Sequence, residues 1–226
     1  MLPLPTFELH KPQSISGAID LLGRFGAEAM LIAGGTDLLP NMKHGLVRPR
    51  HLVSLREIDT LNRIETSGYA LHIGAMTSLA SIAQDATVRE HAPALAEAAR
   101  AVGGPHHRAM ATIGGNLCLD TRCRYYNQTH FWRQSLGYCL KKDGSLCHVV
   151  KAGQRCVAAA SNDTAAAAFA LDATLHLVGP DGTRDVKASE FYVADGQKNL
   201  ALNPSEMLVG VSIPVVSNRR SVYEKL

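Results

Sequence analysis

Cys123, Cys139, Cys147 and Cys156 fall in one short stretch of the chain, crowded by Tyr125, Tyr126, Phe131, Trp132 and Tyr138. Thiolates are soft ligands, and four of them suit either one tetrahedral zinc ion or a four-iron cluster. Their spacing, C-x15-C-x7-C-x8-C, lacks the C-x2-C pairs of common ferredoxins and zinc ribbons, so it does not choose the metal. Zinc would hold together a loop with little core of its own. The aromatic residues admit the same two readings, as a shield around a redox centre or as the small core of that loop. His148, beside Cys147, is a candidate substitute ligand or simply a neighbour of the ligand set. Cys118 stands apart, directly after Gly115-Asn116-Leu117, and reads as a small packing residue.

Two glycine segments offer a second kind of chemistry. Ala33-Gly34-Gly35-Thr36-Asp37 and Thr112-Ile113-Gly114-Gly115-Asn116 both read as turns whose backbone can approach an anion. A helix starting after the first, with Thr36 or Asp37 as its cap, adds free N–H groups and a positive dipole end. Neither is the GxGxxG of a Rossmann unit, and either alone fits an ordinary turn; two closing on one ligand point to a dinucleotide. His106-His107-Arg108 is a third candidate for an anionic ligand, or an exposed polar loop. No paired carboxylates, nucleophile elbow or triad stands out, so hydrolysis gains no support and no catalytic residue is assigned.

The elements that must position these residues follow from local pattern. Strands are expected at 6–10, 30–33, 51–55, 71–75, 174–178 and 207–214, the last ending at Pro214. Helices are expected after the Ser14 cap to Gly26, through Met42, from Ser78 to Gln84, from Pro93 to Val102 and from Thr164 to Leu171. Pro180-Asp181-Gly182-Thr183 reads as a turn between strands. Cys156-Val157-Ala158 is expected to resume the pattern after the cysteine-rich stretch. The βαβ-like order of the first part suggests a compact subdomain of residues 1–55, and residues 56–226 a second.

The chain has 226 residues, 46% hydrophobic and 19% charged, enough to bury a sizeable core. A net charge of +3 without a long basic run gives nucleic-acid binding no support. No apolar run reaches the roughly 18 to 20 residues needed to span a bilayer, and Ala165 to Ala173 reads as a short buried helix. Met1-Leu2-Pro3-Leu4-Pro5 lacks a basic region followed by an apolar core, so a cytoplasmic location and reduced thiols are expected. Ser221 to Leu226 looks like the start of another element, and a missing C-terminal region is expected.

Ala33-Gly34-Gly35-Thr36-Asp37, Ile73-Gly74-Ala75, Ala111-Thr112-Ile113-Gly114-Gly115-Asn116 and Ile213-Pro214 together resemble the FAD-binding subunit of the molybdenum hydroxylases, the xanthine oxidase and carbon monoxide dehydrogenase group. The resemblance runs over nearly the whole chain. It implies an α+β, two-subdomain FAD-binding fold of the molybdopterin dehydrogenase (PCMH-like) type, with an inserted iron–sulfur loop at about residues 120–157 and the family's C-terminal subdomain absent. It puts the FAD diphosphate against Ile32, Ala33, Gly34, Gly35, Thr36 and Asp37, with Thr112, Gly114, Gly115 and Asn116 closing on the same cofactor. Asp163, Leu208 and Lys225 match further flavin contacts. The insertion resembles that of the 4-hydroxybenzoyl-CoA reductase branch, which implies a [4Fe–4S] cluster on Cys123, Cys139, Cys147 and Cys156. The implied subunit takes electrons from ferredoxin towards a molybdenum cofactor on a large subunit, through [2Fe–2S] clusters on a small one, in a dimer of heterotrimers. The implied reaction is reductive dehydroxylation to benzoyl-CoA. The rivals are an aldehyde, purine or carbon monoxide dehydrogenase of the same group, and a non-catalytic, zinc-stabilised binding protein.

Overall fold

The computed structural model describes residues 2–225, so Met1 and Leu226, the first residue of the N-terminal segment and the last of the Ser221 to Leu226 stretch, lie outside the described residues. The first quarter forms a parallel sheet. Strand β1 (Glu8–His10) leads into helix α1 (Ile15–Phe25), strand β2 (Ala29–Ile32), helix α2 (Leu38–Lys43) and strand β3 (His51–Ser54). β3 runs between the other two, in the order β1-β3-β2, and its Leu52 and Val53 are fully buried. Ser14 starts α1 by accepting the Gly17 N–H at 3.1 Å, and the Gly26 N–H closes it on the Leu22 carbonyl. The apolar face of α1, with Ala18, Ile19 and Leu22, packs on Val53, Leu55, Ile58 and Leu61. Each such aliphatic side chain contributes roughly 1.5–3 kcal/mol on burial.

The rest of the chain builds an antiparallel sheet covered by helices. Its elements are β4 (Ile64–Ser67), β5 (Ala70–Gly74), α3 (Leu79–Gln84), α4 (Ala86–His91), α5 (Pro93–Ala101), α6 (Pro105–Met110), α7 (Ile113–Leu117), α8 (His130–Ser135), α9 (Asp163–Ala170), β6 (Thr174–Gly179), β7 (Gly182–Lys187), α10 (Ala188–Phe191) and β8 (Met207–Pro214). The strand order is β4-β5-β8-β6-β7, with all neighbours antiparallel. Pro180 and Asp181 make the tight link of the β6–β7 hairpin at the expected turn. Leu71, Ile73, Leu175, Leu177, Val211 and Ile213 face Leu79, Ile82, Leu95, Leu171 and Phe191 in one core. Alanines at 165, 167 and 168 on α9 and at 94, 96, 98 and 99 on α5 let these helices approach closely. Met207, at the start of β8, belongs to the α1 core instead, so the two sheets share buried side chains.

Several elements differ from the sequence expectation for local reasons. β4 is an edge strand whose Glu65, Thr66 and Ser67 are exposed, so it carries no apolar alternation. α6 is made of the polar Pro105-His106-His107-Arg108 run and starts on proline; its neighbours, more than its own pattern, define it. Gly114-Gly115-Asn116 is a helical turn, not an open one: Thr112 caps α7 by accepting the Gly115 N–H at 3.1 Å. Cys156-Val157-Ala158 forms no strand. The insertion is closed at its neck by Arg122 and Ala159, whose amides and carbonyls exchange bonds of 2.7 and 2.9 Å. Among the described residues no helix is long and apolar enough to cross a membrane.

Candidate functional site

Both glycine segments open onto one cavity of about 550 Å³, within the range of small-molecule sites. Ala33, Gly34, Gly35, Thr36 and Asp37 line it from the end of β2, and Thr112, Gly114, Gly115 and Asn116 from α7. Leu208 on β8 lines it too, with Leu31, Leu55, Met76 and Val102. Small residues and backbone therefore form one part of the wall and apolar side chains another, which suits a ligand with an anionic linker and a flat ring. Ile32 lies just outside: its carbonyl accepts the Leu55 N–H at 3.1 Å and it does not line the cavity.

The glycines have a second reason to be glycine. A Cβ on Gly34 would sit 1.9 Å from the Met110 carbonyl oxygen, and one on Gly114 would sit 2.8 Å from the Ala75 Cβ. Gly34 thus lies against the end of α6 and Gly114 against the residue that follows β5, so ligand access alone does not explain the residue type. Asp37 does not cap α2 with its side chain: one oxygen accepts from Asn41 Nδ2 at 2.9 Å and the other pairs with the Arg122 guanidinium. That ion pair ties the neck of the insertion to the first glycine segment. Of the His106-His107-Arg108 run, only His107 lines the cavity, while Arg108 turns back to the carbonyls of Val102 and Gly103 at 3.0 and 2.6 Å.

Asp163 and Lys225 lie elsewhere than the glycine segments. They line a second cavity of about 510 Å³ with Asn162, Phe169, Tyr192 and Tyr223, and bond to each other at 2.8 Å. The Tyr223 hydroxyl also donates to Asp163 at 2.7 Å; burial, followed by this bond and the Asp163 charge, pushes its pKa up to about 12. A hydrogen-bonded seam links the two cavity walls. Asn116 Oδ1 accepts from the Thr164 hydroxyl and N–H at 2.6 and 3.1 Å, and the Leu117 carbonyl accepts from Asn162 Nδ2 at 3.3 Å and the Tyr192 hydroxyl at 3.0 Å.

Cys123, Cys139, Cys147 and Cys156, separated by up to 33 residues of sequence, line one small cavity together with Tyr125, Tyr126, Leu140, Lys141, His148 and Val157. All five cysteines of the chain are free thiols. Two buried cations stand nearby. Arg133 is 1% exposed, donates to the Lys142 carbonyl and Asp143 at 3.0 Å each, and has Nε and Nη1 without a partner. Lys141 donates to Asp120 and Thr121 at 2.8 and 2.7 Å and lies 4.8 Å from the centre of the Tyr126 ring. An anionic thiolate centre would compensate such charges. Burial raises the Cys156 thiol, which Lys141 partly offsets. His148 lines the same cavity, and its Nε2 lies 2.6 Å from the Tyr138 carbonyl. Cys118 lines the large cavity instead, and burial pushes its thiol up to about 12, which keeps it protonated.

The fit to a metal can be judged from the sulfur spread. A tetrahedral zinc holds its sulfurs about 2.3 Å away and hence about 3.8 Å from one another. Among the described residues, Glu8, His10 and His51 alone form a group of His, Cys, Asp or Glu ligands with all atoms within 4.8 Å, so no three of these sulfurs do. As placed, the sulfurs are not gathered closely enough for one tetrahedral ion.

Sequence reasoning missed Arg122 and Asp120, and set Tyr126 only beside the cysteines; all three line the large cavity from the insertion side. The signal was thin: a lone arginine beside a cysteine says nothing until Asp37 is placed against it. It also expected no triad, yet Asp185, His176, Ser212 and His72 bond in a row across β7, β6, β8 and β5, with outer links of 2.7 Å. That row sits on a sheet face whose amides are committed to the ladder, leaving no backbone donors for an oxyanion.

Residues 5–216 match the family model for the FAD binding domain in molybdopterin dehydrogenase. The carbon monoxide dehydrogenase medium chain of Hydrogenophaga pseudoflava is 31% identical over 100% of this chain and 65% of its own length. The aldehyde oxidoreductase FAD-binding subunit PaoB of Escherichia coli is 34% identical over 88% of this chain and 65% of its own. Among solved structures, carbon monoxide dehydrogenase from Hydrogenophaga pseudoflava lacking the Mo-pyranopterin moiety superposes with a TM-score of 0.74 at 30% identity, over 96% of this chain and 61% of that one. The chain thus spans a little under two thirds of the length of these relatives.

Proposed function

This chain belongs to the family of FAD-binding domains in molybdopterin dehydrogenases, and on that premise we propose that it is the FAD- and [4Fe–4S]-carrying electron-transfer subunit of a 4-hydroxybenzoyl-CoA reductase. The observation that carries this reading is the convergence of Cys123, Cys139, Cys147 and Cys156 on one cavity, tied through Arg122 and Asp37 to the glycine-lined cavity. Ala33 to Asp37, Thr112, Gly114, Gly115, Asn116 and Leu208 would hold FAD, and Asp163 and Lys225 would meet it only if it reaches past the Asn116–Thr164 seam. The four cysteines would hold the cluster, with Arg133 and Lys141 balancing its charge. Bound FAD supplies exchange between one- and two-electron steps, and an iron–sulfur cluster supplies a one-electron port. The protein's own part is to place the two cavities side by side and to exclude water with Tyr125, Tyr126 and Leu140. Residues 1–55 and 56–226 are its two subdomains in this reading, with the insertion at about 120–157.

The partners in this reading are a molybdenum-binding large subunit and a [2Fe–2S] small subunit, in a dimer of heterotrimers with ferredoxin as donor and a cytoplasmic location. Relatives named as a medium chain and as an FAD-binding subunit support a multi-subunit assembly. Those same names favour a second reading, the FAD subunit of an aldehyde, purine or carbon monoxide dehydrogenase. The four-thiol insertion favours the first. Turnover by the assembled complex separates them: reduction of 4-hydroxybenzoyl-CoA supports the proposal, and activity confined to a purine, an aldehyde or carbon monoxide overturns it. Metal and flavin content after anaerobic purification tests the cofactors. Four irons and one FAD per chain are expected; one zinc without flavin would refute both readings.

A further inference from the structure

We propose that Glu8, His10 and His51 form a site for one divalent transition-metal ion, with zinc as the best match, on the parallel sheet away from both large cavities. Strand pairing sets Glu8 opposite His51, and His10 follows two residues later on the same face of β1. With one ligand atom from each residue, the three lie within 4.8 Å of one another, and each carboxylate oxygen faces one ring. His10 Nε2 lies 3.1 Å from His51 Nδ1, Glu8 Oε1 lies 3.7 Å from His10 Nε2, and Glu8 Oε2 lies 3.6 Å from His51 Nδ1. An ion about 2.1 Å from three such ligands separates them by about 3.0 Å at right angles and about 3.4 Å at tetrahedral angles. The His10–His51 separation of 3.1 Å falls between these values, and a small turn of the exposed Glu8 carboxylate brings one oxygen onto the ion, with a fourth position left for water. Two imidazoles and a carboxylate suit zinc, with copper, nickel and cobalt as competitors of the same ligand taste.

The rings are held for this task before any ion arrives. Phe25 stacks on His51 at 3.7 Å with planes 12° apart, and on His10 at 5.0 Å. Both histidine side chains are mostly buried, 15% and 17% exposed, while Glu8 is 66% exposed and can swing onto an ion. The surrounding cations do not fill the triangle: Arg50 pairs with Glu28, Lys11 with Glu57, and Arg24 lies over the Phe25 ring. Without metal, the two ring nitrogens share one proton as a simple hydrogen bond. With it, the three-residue strand β1 is clamped to the buried strand β3.

The test uses tag-free protein carrying its iron centre, so that the thiols are already occupied, with zinc titrated by calorimetry and cobalt as a spectroscopic probe. One zinc per chain should bind, and its affinity should fall at least tenfold in His10→Gln and His51→Gln. Glu8→Gln, at an exposed side chain that cannot disturb packing, should weaken it as well. The cobalt form should lack a thiolate-to-cobalt charge-transfer band. Zinc should raise the melting temperature of the wild type and not of His51→Gln, and Cys139→Ser should still bind it. Absence of stoichiometric zinc, equal uptake by wild type and His51→Gln, or a thiolate-dominated cobalt spectrum would each overturn the proposal.

Discussion

Gly34→Ala puts the close approach of the first glycine segment to the end of α6 to the test. The added Cβ would lie 1.9 Å from the Met110 carbonyl oxygen and 2.6 Å from its carbon, whereas carbon and oxygen in close contact stay about 3.3 Å apart. The turn after β2 and the end of α6 must then separate by about 1.4 Å, and neither side is a flexible side-chain tip that can swing away. Overpacking of this kind costs roughly 1–3 kcal/mol, and in a domain of this size each kcal/mol lowers the melting temperature by roughly 2–4 °C. A drop of roughly 5 °C in flavin-free protein is expected, together with at least a tenfold loss of FAD affinity, or about 1.4 kcal/mol. Gly115→Ala is the matched control. Its Cβ meets only Thr112 Oγ1 at 3.2 Å, and a helical alanine gains about 1 kcal/mol over glycine, so the melting temperature should not fall. Calorimetry of the apoproteins and fluorescence titration with FAD separate the effects. An apoprotein of Gly34→Ala that melts within about 1 °C of the wild type would refute the close approach, and with it the account of why glycine stands there.

Cys139→Ser should abolish the four-iron signal in electron paramagnetic resonance while FAD stays bound, because the glycine segments do not depend on the insertion's sulfurs; a full signal would remove Cys139 from the ligand set. Asn116→Ala strips the buried Thr164 hydroxyl and N–H of their acceptor and should cost roughly 2 kcal/mol, read by urea unfolding. Glu206 is held near a pKa of about 2, first by hydrogen bonds from Arg184, against an ordinary value of 4.5. A depressed carboxylate stabilises the fold above its unfolded pKa, so that stability should drain away as pH falls from 4.5 towards about 2. In Glu206→Gln the acid slope of the unfolding free energy should flatten, and an unchanged slope would exclude this pair as its source.

The legible parts of the fold were those written in short-range pattern. Ser14 and Gly26 bound α1, Pro93 starts α5, the apolar 207–214 run is the strand β8, and the 180–183 turn joins β6 to β7. Each is a local competition that the tertiary structure had no reason to overrule. β4 and α6 were illegible because they carry polar residues and owe their form to β5 and to the glycine segments. Thr112 turned an expected loop into a capped helix, a one-residue effect visible in the sequence and overshadowed by the two glycines after it.

The site divides in the same way. Residue types determined that a thiol-rich stretch and two glycine segments exist, and the resemblance of those segments to a known family implied a flavin fold. Only the tertiary structure decided that both segments line one cavity, that Asp163 and Lys225 pair in another, and that four sulfurs meet at a shared void. It also joined Arg122 to Asp37 across 85 positions. Such contacts depend on how far apart the folded backbone leaves two atoms, and spacing along the chain carries no measure of that distance.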